Sequence, residues 1–111
     1  MNDKEIYQKL AELKDQGIAV CLATIVDTVG STPREAGAKM IICADGTLYG
    51  SVGGGCGESE VRSSALRSIL TTGKPELIEI KLTDDIGNRE GDVCGGTMQI
   101  FVEPLIFHRF P

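Results

Sequence analysis

The sequence predicts an α/β (or α+β) fold, a mixed β-sheet with one β-hairpin and two main helices packed on it. Three observations predict it. Two segments carry apolar residues at helical spacing, runs of branched apolar residues separate and follow them, and an Asp-Gly pair sits between two such runs. A length of 111 residues suffices for one domain with its own core and leaves little room for a second.

Each element follows from its residues. Asn2 and Glu5 have the form of a capping box, Ile6, Leu10 and Leu13 share one helical face, and Gly17 is placed to end the helix. Glu5 and Lys9 are spaced for an i,i+4 pair on the wet side. Residues 18–26 are almost continuously apolar, which predicts a strand covered on both faces. Cys21 lies within it and is expected to be buried filler. Residues 39–43 and 47–50 flank Ala44, Asp45 and Gly46, a hairpin signal because a type I′ turn needs positive φ angles. Cys43 is also expected to be structural.

Residues 59–70 predict a second helix, with Val61, Ala65 and Ile69 forming its buried stripe and Glu58 pairing with Arg62. Gly73 and Pro75 mark its end. Residues 76–82 alternate as a strand with one solvated face. Residues 83–96 form a loop rich in acidic residues and glycine, and residues 97–102 a last strand closed by Pro104.

Composition narrows the function classes. The balance of 41% hydrophobic and 24% charged residues is that of a soluble globular chain. A net charge of −5 argues against nucleic acid or an anionic membrane as partner, since both need clustered Lys and Arg. The N-terminus is charged from its first residues, with no apolar stretch of a signal peptide and no run long enough to span a bilayer. A cytoplasmic protein is expected, and with it free cysteines rather than disulfides.

Most of the 14 glycines cluster in residues 30–37, 46–57 and 87–96. In the second cluster, Gly53-Gly-Gly-Cys-Gly-Glu58 lies between a short strand and a helix start. Three consecutive glycines, Gly53, Gly54 and Gly55, leave their N–H groups unshielded, and a helix N-terminus adds partial positive charge. Such a place can cradle an anion, and a thiol there, Cys56, loses its proton more readily. The competing reading is a tight turn with an inert cysteine. The spacing is not that of the dinucleotide-binding fingerprint.

The third cluster repeats the theme, with Cys94 beside Gly95 and Gly96. The two cysteines outside apolar runs both adjoin glycine pairs, which suggests one site built from two loops. A Cys56–Cys94 disulfide is the structural alternative, disfavoured by a cytosolic setting. Zinc is weaker still, because the spacing is wrong and His108 lies in the apolar tail. In the first cluster, Gly30-Ser-Thr-Pro-Arg34 follows the long strand. Ser31 and Thr32 offer hydroxyls, and Arg34 a planar fork suited to phosphate or carboxylate.

Three ordered motifs together bring a family into view. Gly30-Ser-Thr-Pro-Arg-Glu-Ala-Gly-Ala-Lys-Met40, Gly50-Ser-Val-Gly-Gly-Gly-Cys-Gly-Glu58 and Cys94-Gly-Gly96 resemble the N-terminal domain of the XdhC/CoxI family of xanthine dehydrogenase accessory proteins. Val102-Glu-Pro-Leu105 is similar to the end of that domain. The resemblance implies a protein that binds molybdenum cofactor (molybdopterin) transiently, assists its sulfuration and delivers it to a molybdenum hydroxylase of the xanthine dehydrogenase type. In that picture the 53–55 turn holds the phosphate or pterin side, with Ser31, Glu58, Gly95 and Gly96 around it. Arg34 pairs with the phosphate, Cys56 binds the metal or exchanges sulfur, and Cys94 assists.

The family also implies a Rossmann-like second domain, which this sequence does not include; the expectation is either a separate partner that supplies it or a single-domain relative of reduced scope, with sulfur supplied by a cysteine desulfurase. Self-association is compatible with this picture. Gly57 departs from the family pattern, which more often has an apolar residue before the Glu. No acid–base machinery accompanies the glycine motifs, so a chaperone is expected rather than a turnover enzyme. The alternatives are a sulfurtransferase carrying a persulfide on Cys56 and a non-catalytic interaction module docking on a molybdoenzyme or on a separate Rossmann partner.

Overall fold

The computed structural model of the chain describes residues 1–53, 55, 57–82 and 95–106. Helix α1 (Asp3–Asp15) leads into the long strand β1 (Val20–Val29), followed by the hairpin strands β2 (Lys39–Cys43) and β3 (Leu48–Gly50). Helix α2 (Glu58–Arg67) continues as a π-helical turn, Ser68–Thr72, before β4 (Glu76–Lys81) and β5 (Thr97–Leu105) complete the chain.

The strands lie in the order β3-β2-β1-β5-β4. All four ladders are antiparallel, where a sheet of both directions was expected. The difference lies in the connection through α2. It links β3 to β4 at opposite edges of the sheet, so it places no neighbouring strand parallel to another.

The alternation of β1 divides the core into two layers, as expected for a strand covered on both faces. Val20 and Leu22 join Ile41, Cys43, Ile6 and Leu13 beneath α1. Cys21, Ala23 and Ile25 face the other way and join Met40, Ile42, Met98, Ile100 and Val102 beneath α2. Full burial of one such aliphatic side chain contributes roughly 2 kcal/mol, so the two layers fix the register of β1 from both sides. A register shift between Ile25 and Asp27 lets the strand run on to Val29, three residues past the apolar run.

The end signals of α1 form as read. The Asn2 side chain accepts from the Glu5 N–H and the Glu5 carboxylate from the Asn2 N–H, both at 2.9 Å. Gly17 follows the C-cap Gln16 with φ 73°. Because Glu5 is engaged there, Lys9 pairs instead with Glu12, at 3.0 Å, and lies over the Tyr49 ring. The expected Glu5–Lys9 pair does not form. The hairpin turns at Asp45 and Gly46, but as a three-residue loop. Cys43 O accepts from the Gly46 N–H, the Cys43 N–H donates to Thr47 O, and Gly46 lies at φ 93°. The loop therefore closes as a bulged hairpin rather than a type I′ turn.

Val61 and Ala65 of α2 enter the core and Ile69 packs against it, so the buried stripe falls where the spacing puts it. The strand β5 passes Pro104 and ends at Leu105. The ladder with β4 reaches only Val102, so Pro104 has a strand neighbour on one side and needs no donor on the other. Among the described residues, no helix is long and apolar enough to cross a membrane.

Where α2 passes through the π turn, Ser64 Oγ and an Arg67 Nη both donate to one oxygen of Glu76, at 2.5 and 2.8 Å. These two donors hold the Glu76 carboxyl below the usual carboxylate range. A group whose pKa is depressed by folding contributes stability above its unfolded pKa and loses it as pH falls through the folded value. Wild-type protein is therefore expected to lose thermal stability on acidification more steeply than Glu76→Gln. The two melting-temperature curves should converge at acid pH, and parallel curves would show that the cluster contributes nothing.

Candidate functional site

The antiparallel ladders explain how three glycine clusters far apart in sequence can meet. Alternating strand direction places the end of β1, the start of β2, the ends of β3 and β4 and the start of β5 at one end of the sheet. The residues that leave those strands are 30–38, 51–57 and 95–96, the described parts of the clusters.

The first and third clusters touch directly. Gly30, at φ 77°, approaches Gly96 so closely that a Cβ on Gly30 would lie 3.2 Å from the Gly96 Cα. A Cβ on Gly96 would meet Val29 O as well as Ser31 O and Ser31 N, the latter two at 2.6 and 2.9 Å. Gly96 O also accepts from the Leu82 N–H at 2.8 Å. The glycine at 96 is thus required by packing of backbone on backbone. Gly95 meets nothing within 4 Å and is exposed.

The first and second clusters are joined through Ser51. Arg34 donates from a guanidinium nitrogen to Ser51 O at 3.1 Å. Ser51 Oγ donates to the Glu58 carboxylate at 2.6 Å and accepts from the Gly53 N–H at 3.3 Å. The Glu58 carboxylate therefore faces Ser51, not Arg62 as the i,i+4 spacing suggested. Arg62 lies beside the hairpin, where a Cβ on Gly46 would come within 2.6 Å of its guanidinium. On the first loop, Thr32 Oγ1 donates to Arg34 O at 2.9 Å and so bends the segment that presents Arg34.

The turn into α2 rests on two left-handed glycines. Gly55 has φ 107° and open space around it, as expected for a position where something can approach the backbone. Gly57 is the N-cap of α2 at φ 76°. A Cβ there would lie 2.6 Å from Ile80 Cγ2. Its glycine fits close packing of the turn on β4.

Ser31, Arg34, Gly53, Gly55, Glu58, Gly95 and Gly96 thus gather at one end of the sheet, with Gly53 buried, Glu58 half-buried and Ser31 and Arg34 exposed. Gly54, Cys56 and Cys94 lie outside the described residues, as does His108. A polar groove of about 370 Å³ runs along residues 33–38, with Arg34 in its wall. The other two cysteines take the structural role expected of them. Cys21 is fully buried and donates to Ala65 O at 3.4 Å, and burial pushes its thiol up to about 11. Burial, then the charge of Asp45, raises Cys43 as well. Both thiols stay protonated at neutral pH and are poor nucleophiles. Among the described residues, no group of three or more His, Cys, Asp or Glu is arranged to hold a metal ion.

Sequence reasoning gave Ser51 no role. The available signal was a hydroxyl two residues before a glycine whose N–H needs an acceptor. The contact between Gly30 and Gly96 left no signal, because it depends on the order of the strands.

A domain that folds this way and gathers these loops defines a class, and comparison with known proteins identifies it. The XdhC and CoxI family profile matches residues 13–81. A probable xanthine dehydrogenase subunit of Bacillus subtilis (strain 168) is 40% identical over 99 residues, which is 86% of this chain and 29% of that protein. The Escherichia coli (strain K12) protein YqeB, described as uncharacterized, is 36% identical over 97 residues, 87% of this chain and 18% of that protein. A crystal structure of a xanthine dehydrogenase from Bacillus halodurans superimposes with a TM-score of 0.76 at 30% identity, over 94% of this chain and 30% of the other.

The chain belongs to the XdhC and CoxI family. It spans less than a third of the length of each of these relatives.

Proposed function

We propose that this chain is an accessory protein to a xanthine dehydrogenase-type molybdenum hydroxylase, and that it binds molybdenum cofactor as cargo for sulfuration and delivery. The observation that carries the reading is the convergence of the three glycine clusters at one end of the sheet, with Arg34 beside the polar groove. The cargo is an anionic pterin phosphate carrying a metal with oxygen and sulfur ligands. Backbone N–H groups and a guanidinium suit the phosphate, and Arg34 stands in the wall of an open polar groove along residues 33–38. Neither described cysteine offers a reactive thiol, which leaves Cys56 and Cys94 as the candidates for contact with sulfur or metal.

The deciding experiment is anaerobic retention of molybdenum cofactor by the purified protein, wild type beside Cys56→Ser. Retention by the wild type and its loss in a folded Cys56→Ser protein is the expected result. Equal retention by both would remove Cys56 from the site. Retention by neither would leave the domain as a docking module and end the cargo reading.

A further inference from the structure

We propose that Ser51 and Glu58 act as a positioning pair that sets the turn carrying Cys56, and that Glu58 serves the site through Ser51 rather than through its charge. The proposal rests on the cofactor-binding reading for its functional consequence, though not for its structural basis.

Among the described residues, three hydrogen bonds meet on Ser51. Its hydroxyl accepts from the Gly53 N–H at the start of the turn and donates to Glu58 at the end of it, at 3.3 and 2.6 Å. Its carbonyl takes the Arg34 guanidinium at 3.1 Å. The single residue thus ties both ends of the 53–58 turn together and fastens the turn to the Arg34 loop.

Among the described residues of the turn, the packing of Gly57 on Ile80 is the other constraint on its shape. Gly53, Gly55 and Gly57 impose no side-chain restriction, and the N-cap Gly57 makes no side-chain capping bond. Glycine runs are conformationally permissive, so their geometry must be imposed by neighbours. A carboxylate as first residue of α2 is also where the helix favours negative charge, which suits Glu58 as the acceptor for the Ser51 hydroxyl. Outer groups that orient a ligand-binding residue are typically worth about 10- to 100-fold in affinity.

The pair predicts a pattern that a direct charge contact does not. Ser51→Ala removes both hydroxyl bonds and changes no charge. Glu58→Gln removes the charge and keeps an oxygen acceptor for the Ser51 hydroxyl, whereas Glu58→Ala removes both. The first measurement is the affinity for molybdenum cofactor released from a molybdenum hydroxylase. Ser51→Ala and Glu58→Ala should lose about 10- to 100-fold, with Ser51→Thr and Glu58→Gln remaining within about twofold of wild type. The second is the rate of Cys56 alkylation by iodoacetamide across pH, read by peptide mass. It should change about tenfold in Ser51→Ala and stay near wild type in Ser51→Thr.

Loss in Glu58→Gln as deep as in Glu58→Ala would overturn the proposal in favour of a direct charge contact. An unchanged alkylation profile in folded Ser51→Ala would overturn it outright. If wild-type protein fails to bind the cofactor, the cargo reading falls. The alkylation profile then decides the positioning pair by itself.

Discussion

Gly96→Ala is expected to destabilise the protein by about 3 kcal/mol, near the top of the range for overpacking, whereas Gly95→Ala should remain within about 0.5 kcal/mol of wild type. The two glycines adjoin in sequence, and only one is enclosed. The methyl group at 96 would meet Val29 O, Ser31 O and Ser31 N, all backbone atoms that cannot rotate away. Relief requires the first loop to move off the start of β5. That would strain the Val29–Thr97 pair at the end of the β1–β5 ladder and the bond from the Leu82 N–H to Gly96 O. At Gly95 the same methyl group meets nothing. Urea denaturation of the two variants beside wild type measures both effects. Equal stabilities would show that the 30–31 segment yields freely, and the two loops would then not form one rigid unit.

How much of this was legible follows the range over which each signal acts. Asn2 and Glu5, or Asp45 and Gly46, lie within a few residues of each other, and the structure forms the cap and the hairpin where those residues place them. Val20, Cys21, Leu22 and Ala23 declare burial on both faces because no polar residue interrupts them. Ion pairs were less legible. Glu5 and Glu58 each have an i,i+4 partner available, and each is held by a nearer donor, the Asn2 N–H and the Ser51 hydroxyl.

Most hidden was the arrangement of the site. Strand direction and order bring Gly30 to Gly96 and Arg34 to Ser51, and neither property is encoded in local spacing. Residue chemistry and the family resemblance together selected Arg34, Gly53, Glu58 and Gly96 without a geometric account. The sheet supplies that account for the described residues, by ending β1, β3 and β4 where β2 and β5 begin.

Gly57, the N-cap of α2, gives the second large effect. Gly57→Ala is expected to cost about 1–2 kcal/mol for the left-handed backbone and a further 1–3 kcal/mol for the methyl group pressed against Ile80. The two contributions are separable because their causes differ. The contact at 2.6 Å is with Ile80 Cγ2, which a second substitution can remove, whereas φ 76° belongs to the turn itself. Ile80→Ala alone leaves a cavity in the layer beneath α2 and should cost about 2–5 kcal/mol. In the double variant the methyl group added at position 57 projects into the space Ile80 vacates, so its added cost should fall to that of the backbone alone. A double-mutant cycle in urea should thus give a favourable coupling of about 1–3 kcal/mol, the size of the clash. Strict additivity would mean that the turn shifts away from β4 at no cost. In that case Gly57 would have no packing reason to be glycine.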